Sequence, residues 1–272
     1  MRLIKSHGLG NDYLVLDSGE PLSPARVRAL CHRHTGVGGD GILEPVSSSG
    51  ADHGLRIWNP DGSRAEKSGN GLRIFARWLV DHRGAPPVFT VEVPAGVVRC
   101  EVDGVTGLVT VEMGTARLEP DAVPCTVSLR HTAVEIAGTK LHLTAVGMGN
   151  PHCVALVDDP DLDALPWRTW GRALETDARF PNRTNVQVAR VIDRGNLEAR
   201  IWERGAGETL ASGSSACAVA VAARLLGRVD ADVTVHMEGG TLRVLVDATL
   251  GVTQIGPVAE VGEVLVRMPL PA

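Results

Sequence analysis

The sequence predicts an α/β protein of the α+β type, made of two like halves in which strands outnumber helices. Three observations carry this reading. Long stretches alternate apolar and polar residues between glycine-containing turns, as half-buried strands do; few stretches have helical spacing; and motifs of the first half return in the same order in the second. A chain of 272 residues is long enough to form its core without disulfide or metal staples.

Ser23-Pro24 supplies an N-cap and a first-turn proline for a helix over Ala25–His34. Further helical runs follow Gly69 to about Asp81 and Gly213 to about Leu226, and a fourth covers Pro166–Glu175. Val88–Met113 and Val233–Met268 read as antiparallel meanders, with turns at Ala95-Gly96, Asp103-Gly104, Gly239-Gly240 and Leu250-Gly251. The N-terminal half is expected over residues 1–115 and the C-terminal half over residues 116–262. Residues 263–272 form a final strand expected to pack back on the first half.

The repeat has half the length of the chain, which marks a duplication and not a solenoid. Ile57-Trp58-Asn59 through Ser68-Gly69 aligns without gaps to Ile201-Trp202-Glu203 through Ser212-Gly213, 144 positions later (58 to 202). Gly8-Leu-Gly-Asn11 matches Gly147-Met-Gly-Asn150, 139 positions later (11 to 150). Two like halves that meet face to face bring their equivalent loops to one cleft, where ligands tend to bind.

Composition narrows the class of ligand. The net charge is −5, there is no basic run, and the aromatics are three Phe, five Trp and one Tyr, so neither a nucleic acid nor a membrane surface is the expected partner. A small molecule is. The N-terminus carries no apolar targeting segment, and the five cysteines are scattered without a C-x-x-C pair, which points to a reducing, cytoplasmic setting and to no metal.

Helix N-termini leave their first N–H groups unpaired and carry partial positive charge, so the starts at Gly69-Asn70 and Gly213-Ser214 suit a carboxylate. Ser68 and Ser212 would then flank the carbon beside it, one on each side. Two proton-handling groups on opposite faces of an α-carbon are what inversion without a cofactor needs. Each serine alone also reads as a plain N-cap.

Several blocks resemble the diaminopimelate epimerase family over nearly the whole chain. They are His7-Gly-Leu-Gly-Asn-Asp12, Arg33-His-Thr-Gly-Val-Gly-Gly-Asp-Gly41, Asn59-Pro-Asp-Gly-Ser63, Ser68-Gly-Asn-Gly71 with Arg73, Gly149-Asn-Pro-His152, Phe180-Pro181 with Asn185-Val186, and Glu203-Arg-Gly-Ala-Gly-Glu-Thr209. The resemblance implies two pseudo-symmetric domains, each a curled, mostly antiparallel sheet around a central helix. It implies a cofactor-independent homodimer that interconverts LL- and meso-diaminopimelate. The reacting carboxylate would meet Gly69, Asn70, Gly213 and Ser214, while Asn59, Asn150, Asn185, Glu203 and Arg204 would hold the distal end, with Asn11 lining the site. Arg204 offers a planar fork to the second carboxylate, and Glu203 suits an ammonium.

The family places two catalytic cysteines where this chain has Ser68 and Ser212. Serine is the far weaker acid, and three readings follow. The pair is an engineered Cys-to-Ser exchange that traps substrate; or His152 or Glu203 supplies the base; or the fold has moved to other carboxylate chemistry, as in the phenazine-biosynthesis isomerases, or to binding without turnover. Ser212-Gly-Ser-Ser215 departs from the family's usual Cys-Gly-Thr-Gly at further positions, which favours a natural variant.

Other motifs read as structural. Gly36-Val-Gly-Gly-Asp-Gly41 follows a helix and precedes a strand, the reverse of a dinucleotide loop. Cys31, His32 and His34 are bunched on one helix; Cys217 and Cys153 read as core; and Asn182-Arg-Thr184 is a sequon with no secretory context.

Overall fold

The computed structural model describes residues 1–18, 20–267 and 269–271. The chain forms two units: Met1–Glu112 with Gly256–Ala272, and Met113–Ile255.

In the first unit the elements run β1 (Arg2–Gly8), β2 (Asn11–Leu16), α1 (Pro24–Cys31), β3 (Ile42–Val46), β4 (His53–Trp58), β5 (Arg64–Ala65), α2 (Gly69–Arg83), β6 (Val88–Val93) and β7 (Gly96–Val102). The next strand, β8 (Val109–Thr115), begins in this unit. Ser23 Oγ accepts the Arg26 N–H and Pro24 opens α1, as the sequence requires. The helix stops at Cys31, three residues short of the expected His34, because the His32 side chain turns the chain: its Nδ1 takes the Thr35 N–H at 3.1 Å and lies 2.8 Å from Thr35 Oγ1. Cys31, His32 and His34 therefore do not share a helix. Helix α2 runs on to Arg83, where Gly84 at φ 64° closes it by donating to Leu79 O.

The second unit repeats this plan: β9 (Thr132–Ile136), β10 (Thr139–Gly147), β11 (Pro151–Leu156), α3 (Trp167–Glu175), β12 (Asn185–Asp193), β13 (Asn196–Glu203), β14 (Gly207–Thr209), α4 (Gly213–Leu225), β15 (Asp232–Met237), β16 (Gly240–Val246) and β17 (Gly251–Gly256). The last strand, β18 (Ala259–Leu265), belongs to the first unit and pairs antiparallel with β1. It starts four residues before the expected position 263 and does not extend the second meander. Met268 and Ala272, at the expected ends of that meander and of the final strand, lie outside the described residues.

The two sheets match pair for pair. Strands β2 and β3 are parallel, as are β11 and β12; β4 and β6 are parallel, as are β13 and β15. The remaining neighbours within each meander are antiparallel. Strand β18 takes beside β1 the place that β9 takes beside β10.

Each unit has a helix at the centre of its sheet. Helix α4 carries Ala, Val, Cys and Ser on every side and is buried from Ser215 to Ala223, packed on β10–β13, β15 and β16. An apolar helix that finds strands all round it is the consequence of a sheet curled about it. Helix α2 is buried from Gly69 to Ala76 and packs on β1, β2 and β7. The outer helices cover the other face: Val27 and Leu30 of α1 join Leu3, Leu14, Ile42 and Trp58, and Trp167, Trp170 and Leu174 of α3 join Leu143, Val186 and Val188. Among the described residues no helix is long and apolar enough to cross a membrane.

Candidate functional site

The first residues to place are those that start the central helices. Ser68 has extended backbone angles and caps α2, its Oγ accepting the Gly71 N–H at 3.0 Å. The N–H groups of Gly69 and Asn70 ahead of it have no acceptor within the helix. Ser212 has almost the same backbone angles at the start of α4 but does not cap it. Its Oγ instead donates to Glu203 Oε2 at 3.2 Å, and the other oxygen of that carboxylate accepts from Thr209 Oγ1 at 2.8 Å. Equivalent serines are thus held by different partners.

Beside Ser68 runs a chain of amides with fixed polarity. Asp40 accepts from Asn11 Nδ2 at 2.8 Å, Asn11 Oδ1 accepts from Asn70 Nδ2 at 3.1 Å, and Asn70 Oδ1 accepts from Arg73 Nη2 at 2.7 Å. A carboxylate at one end and a buried guanidinium at the other decide which way each amide faces. The N–H bonds that remain on Asn11 and Asn70 are donors, suited to an anion. The β1–β2 turn that presents Asn11 has Leu9 at φ 58° and Gly10 at φ 89°, the two positive angles of a tight hairpin.

Asp40 is also part of the Gly36–Gly41 segment, which follows α1 and leads into the strand β3, not into a helix. Arg33 reaches Asp12 at 2.7 Å and Asp40 at 2.6 Å, and Lys5 reaches Asp12 at 3.0 Å. Burial and the neighbouring Asp12 push the Asp40 carboxyl up; hydrogen bonds from Arg33 and Lys5, acting against burial, hold Asp12 down.

In the second unit Asn150 sets the pattern. His152 Nε2 lies 2.9 Å from Asn150 Oδ1, His152 Nδ1 lies 3.1 Å from Gln187 Nε2, and Gln187 Nε2 donates to Ser215 Oγ at 2.9 Å. Since the Gln187 amide donates, Nδ1 accepts and the ring proton sits on Nε2. Asn150 then turns its amide nitrogen towards α4, 3.5 Å from Ser214 Oγ. Complete burial, with Arg204 nearby, pushes His152 down to about 3. The ring is thus buried, neutral and engaged at both nitrogens, an arrangement that orients the Asn150 amide.

The remaining expected residues divide. Asn185 uses its side chain on the scaffold, donating to Pro151 O at 2.9 Å and accepting the Arg204 N–H at 3.0 Å. This pins the backbone of Arg204 and leaves its exposed guanidinium with no carboxylate partner among the described residues. Glu175 shapes the same loop by accepting from Trp202 Nε1 and the Gly205 N–H, each at 2.8 Å. Asn59, the counterpart of Glu203, bonds Ser63 Oγ at 2.9 Å and none of the other expected residues.

Two residues were missed. Tyr13 Oη lies 3.2 Å from Ser68 Oγ, and Gln187 orders His152. Tyr13 stands two residues after Asn11 as His152 stands two after Asn150, a signal that the repeat carried. No thiol takes the place of the serines. All five cysteines are buried, and burial pushes Cys31 and Cys100 up to about 12.

A family model described as diaminopimelate epimerase matches residues 3–119 and again residues 144–260. A curated relative from Nostoc sp., "Diaminopimelate epimerase 2", is 43% identical over 258 residues, 89% of this chain and 87% of its own. The "Diaminopimelate epimerase" of Ectopseudomonas mendocina is 42% identical, with 98% of this chain and 99% of the relative covered. Among solved structures, a hydroxyproline epimerase from Agrobacterium vitis superposes with a TM-score of 0.69 over 98% of this chain and 90% of that one, at 18% identity, a likeness of fold.

Proposed function

The chain belongs to the diaminopimelate epimerase family, and from that premise we propose that it interconverts LL- and meso-diaminopimelate by moving the α-proton without a cofactor. The observation that carries the reading is the Ser212–Glu203 pair. A carboxylate that accepts from a hydroxyl at the start of a helix can take that proton while the hydroxyl oxygen receives another, so Ser212 with Glu203 forms a base. Ser68, at the equivalent position of the other unit, is the second proton-handling group. The same helix starts, Gly69-Asn70 and Gly213-Ser214, bind the reacting carboxylate through N–H groups, joined by the donor faces of Asn11, Asn70 and Asn150.

The distal end of the substrate falls to Arg204, whose guanidinium has no carboxylate partner among the described residues and whose backbone Asn185 holds, and Asn59 is read as serving the same end. Glu203 is committed to Ser212 and Thr209, so its part is at the reacting carbon. We read the protein as a cytoplasmic homodimer acting on a free amino acid; the buried, scattered thiols support a reducing setting, and light scattering of the purified protein tests the dimer.

The test of function is exchange. In heavy water the protein is expected to incorporate deuterium at the α-carbon of LL- and meso-diaminopimelate, followed by mass spectrometry and chiral separation. Absence of exchange with both isomers, while calorimetry records binding, would make it a binding protein. Ser68→Cys with Ser212→Cys is expected to raise the exchange rate more than about tenfold, since a thiol near a helix start yields its proton far more readily than an alcohol.

A further inference from the structure

Tyr13 is the one tyrosine of the sequence, and it is buried on β2 with its phenol against Ser68. Ser68 Oγ already accepts the Gly71 N–H, so one lone pair is engaged by the helix. Either hydroxyl of this pair can donate; with the phenol as donor to the second lone pair, the serine keeps its own O–H to aim elsewhere. Ser212 is held the other way: the Glu203 carboxylate takes its hydrogen and leaves its lone pairs open. With the phenol as donor the two hydroxyls are polarised in opposite senses, one prepared to give a proton and the other to receive one.

We infer that Tyr13 is the proton source behind Ser68, a positioning residue that acts through the serine and fixes it as the acid of the pair. The inference rests on the epimerase reading above. When the α-proton leaves the substrate, it passes to Ser212 Oγ as the serine's own proton moves to Glu203. In the return step the Ser68 O–H bond breaks as the new Cα–H bond forms, and the Tyr13 O–H proton passes to Ser68 Oγ. The electron pair of that bond stays on the phenol oxygen. The phenolate regains a proton from water and Glu203 loses one to water between turnovers. The same transfers run backward serve the other epimer. A phenol is far more acidic than an aliphatic alcohol, so the charge rests on Tyr13 and no bare serine alkoxide forms.

The form that begins the reaction has Tyr13 protonated and Glu203 ionised, so kcat/KM falls as pH rises through the phenol's range, ordinarily about 10. The charged and titratable groups on the elements around Tyr13 are Arg2, Lys5 and His7 on β1, Asp12 on β2, Glu44 on β3, and Arg73, Arg77, Asp81, His82 and Arg83 on α2, with Lys67 just ahead of it. Of these residue types only lysine ordinarily titrates near a phenol, and replacing Tyr13 leaves both lysines in place.

The full-length protein and Tyr13→Phe, which keeps the ring, are compared for kcat/KM on diaminopimelate from about pH 6 to about pH 11, with binding followed by calorimetry. Tyr13→Phe is expected to lose roughly a hundredfold or more in kcat/KM near neutrality, to lose the alkaline fall, and to bind substrate within about twofold of the parent. A variant within about threefold of the parent rate that keeps the alkaline fall overturns the inference. The single tyrosine gives a second readout, because the ultraviolet phenolate band reports this residue alone. Ser68→Ala is expected to move its apparent pKa by about half a unit or more, and an unmoved titration overturns the pairing. If the parent protein exchanges no α-proton of diaminopimelate, the epimerase reading falls and takes the proton-source role with it; an active parent with an unaffected Phe variant refutes the role of Tyr13 alone.

Discussion

His152 is a histidine that the fold keeps neutral, and the cost of doing so is a pH dependence of stability. In the unfolded chain a histidine takes up a proton near pH 6.5; in the folded protein burial holds this one to about 3. Between those values the unfolded state binds more protons. Stability is therefore complete above pH 6.5 and is lost as pH falls towards 3, by roughly 1.4 kcal/mol per pH unit for this group. Replacing it with a side chain that cannot charge removes the slope. Thermal unfolding of His152→Gln is expected to show a shallower fall in Tm between about pH 6.5 and about pH 4 than the parent, although the variant is less stable at pH 7; equal slopes would assign the acid loss to other groups. The same ring shows what a motif alone leaves open. Asn-Pro-His could be read as placing a histidine at a reacting centre, but the sequence does not say that Gln187, on a strand paired parallel to its own, will occupy Nδ1.

At the scale of elements, α3 lies on β13 at a distance that only glycine permits. A Cβ at Gly171 would stand 2.9 Å from both Cβ and Cγ of Trp202, inside the closest approach of ordinary side chains. Alanine gains about 1 kcal/mol of helix propensity over glycine, but the crowding falls on the stem of a large ring that cannot step aside. Trp202 also anchors the loop through Glu175 and immediately precedes Glu203. Gly171→Ala is expected to lower stability by about 1–3 kcal/mol in urea unfolding and to reduce exchange activity, through displacement of the Glu203 loop. Much at this scale was legible in the sequence. The Ile-Trp and Ser-Gly pairs located β4, β13, α2 and α4, because strand ends and helix caps depend on local residues. The end of α1 was not legible: His32 closes it with a side-chain bond that helix propensity does not register. Nor was Tyr13, which sits in an apolar run and reads as core until α2 is packed against β2. Ser68 and Ser212 are alike in sequence and in backbone angles, and what separates them is the company that other elements bring.

At the scale of the whole molecule, the chain leaves the first unit after Glu112 and comes back to it at Gly256. Alternating apolar residues announced a strand near the C-terminus, but alternation cannot say which sheet edge accepts it. The pairing went to β1, where Arg2 to Ile4 face Leu265 to Glu263 in register and the ladder continues past an irregularity to His7 and Ala259. Val264, Val266 and Leu270 add to the cluster of Leu3, Leu14 and Val27. A chain ending at Gly256 would keep every strand of the second unit and would strip β1 of one neighbour, leaving its N–H and C=O groups unpaired and apolar surface in water. Because β1 is bonded on its other side to β2, which carries Asn11 and Tyr13, the damage should reach the surroundings of Ser68 while Ser212 and Glu203 keep their bond. Hydrogen exchange followed by mass spectrometry on the truncated protein is expected to show lost protection in β1, β2 and the start of α2, with β10 to β13 protected as in the parent. Uniform loss across both units would mean that the second unit depends on the first for its stability, and that the duplication no longer describes two separately stable folds.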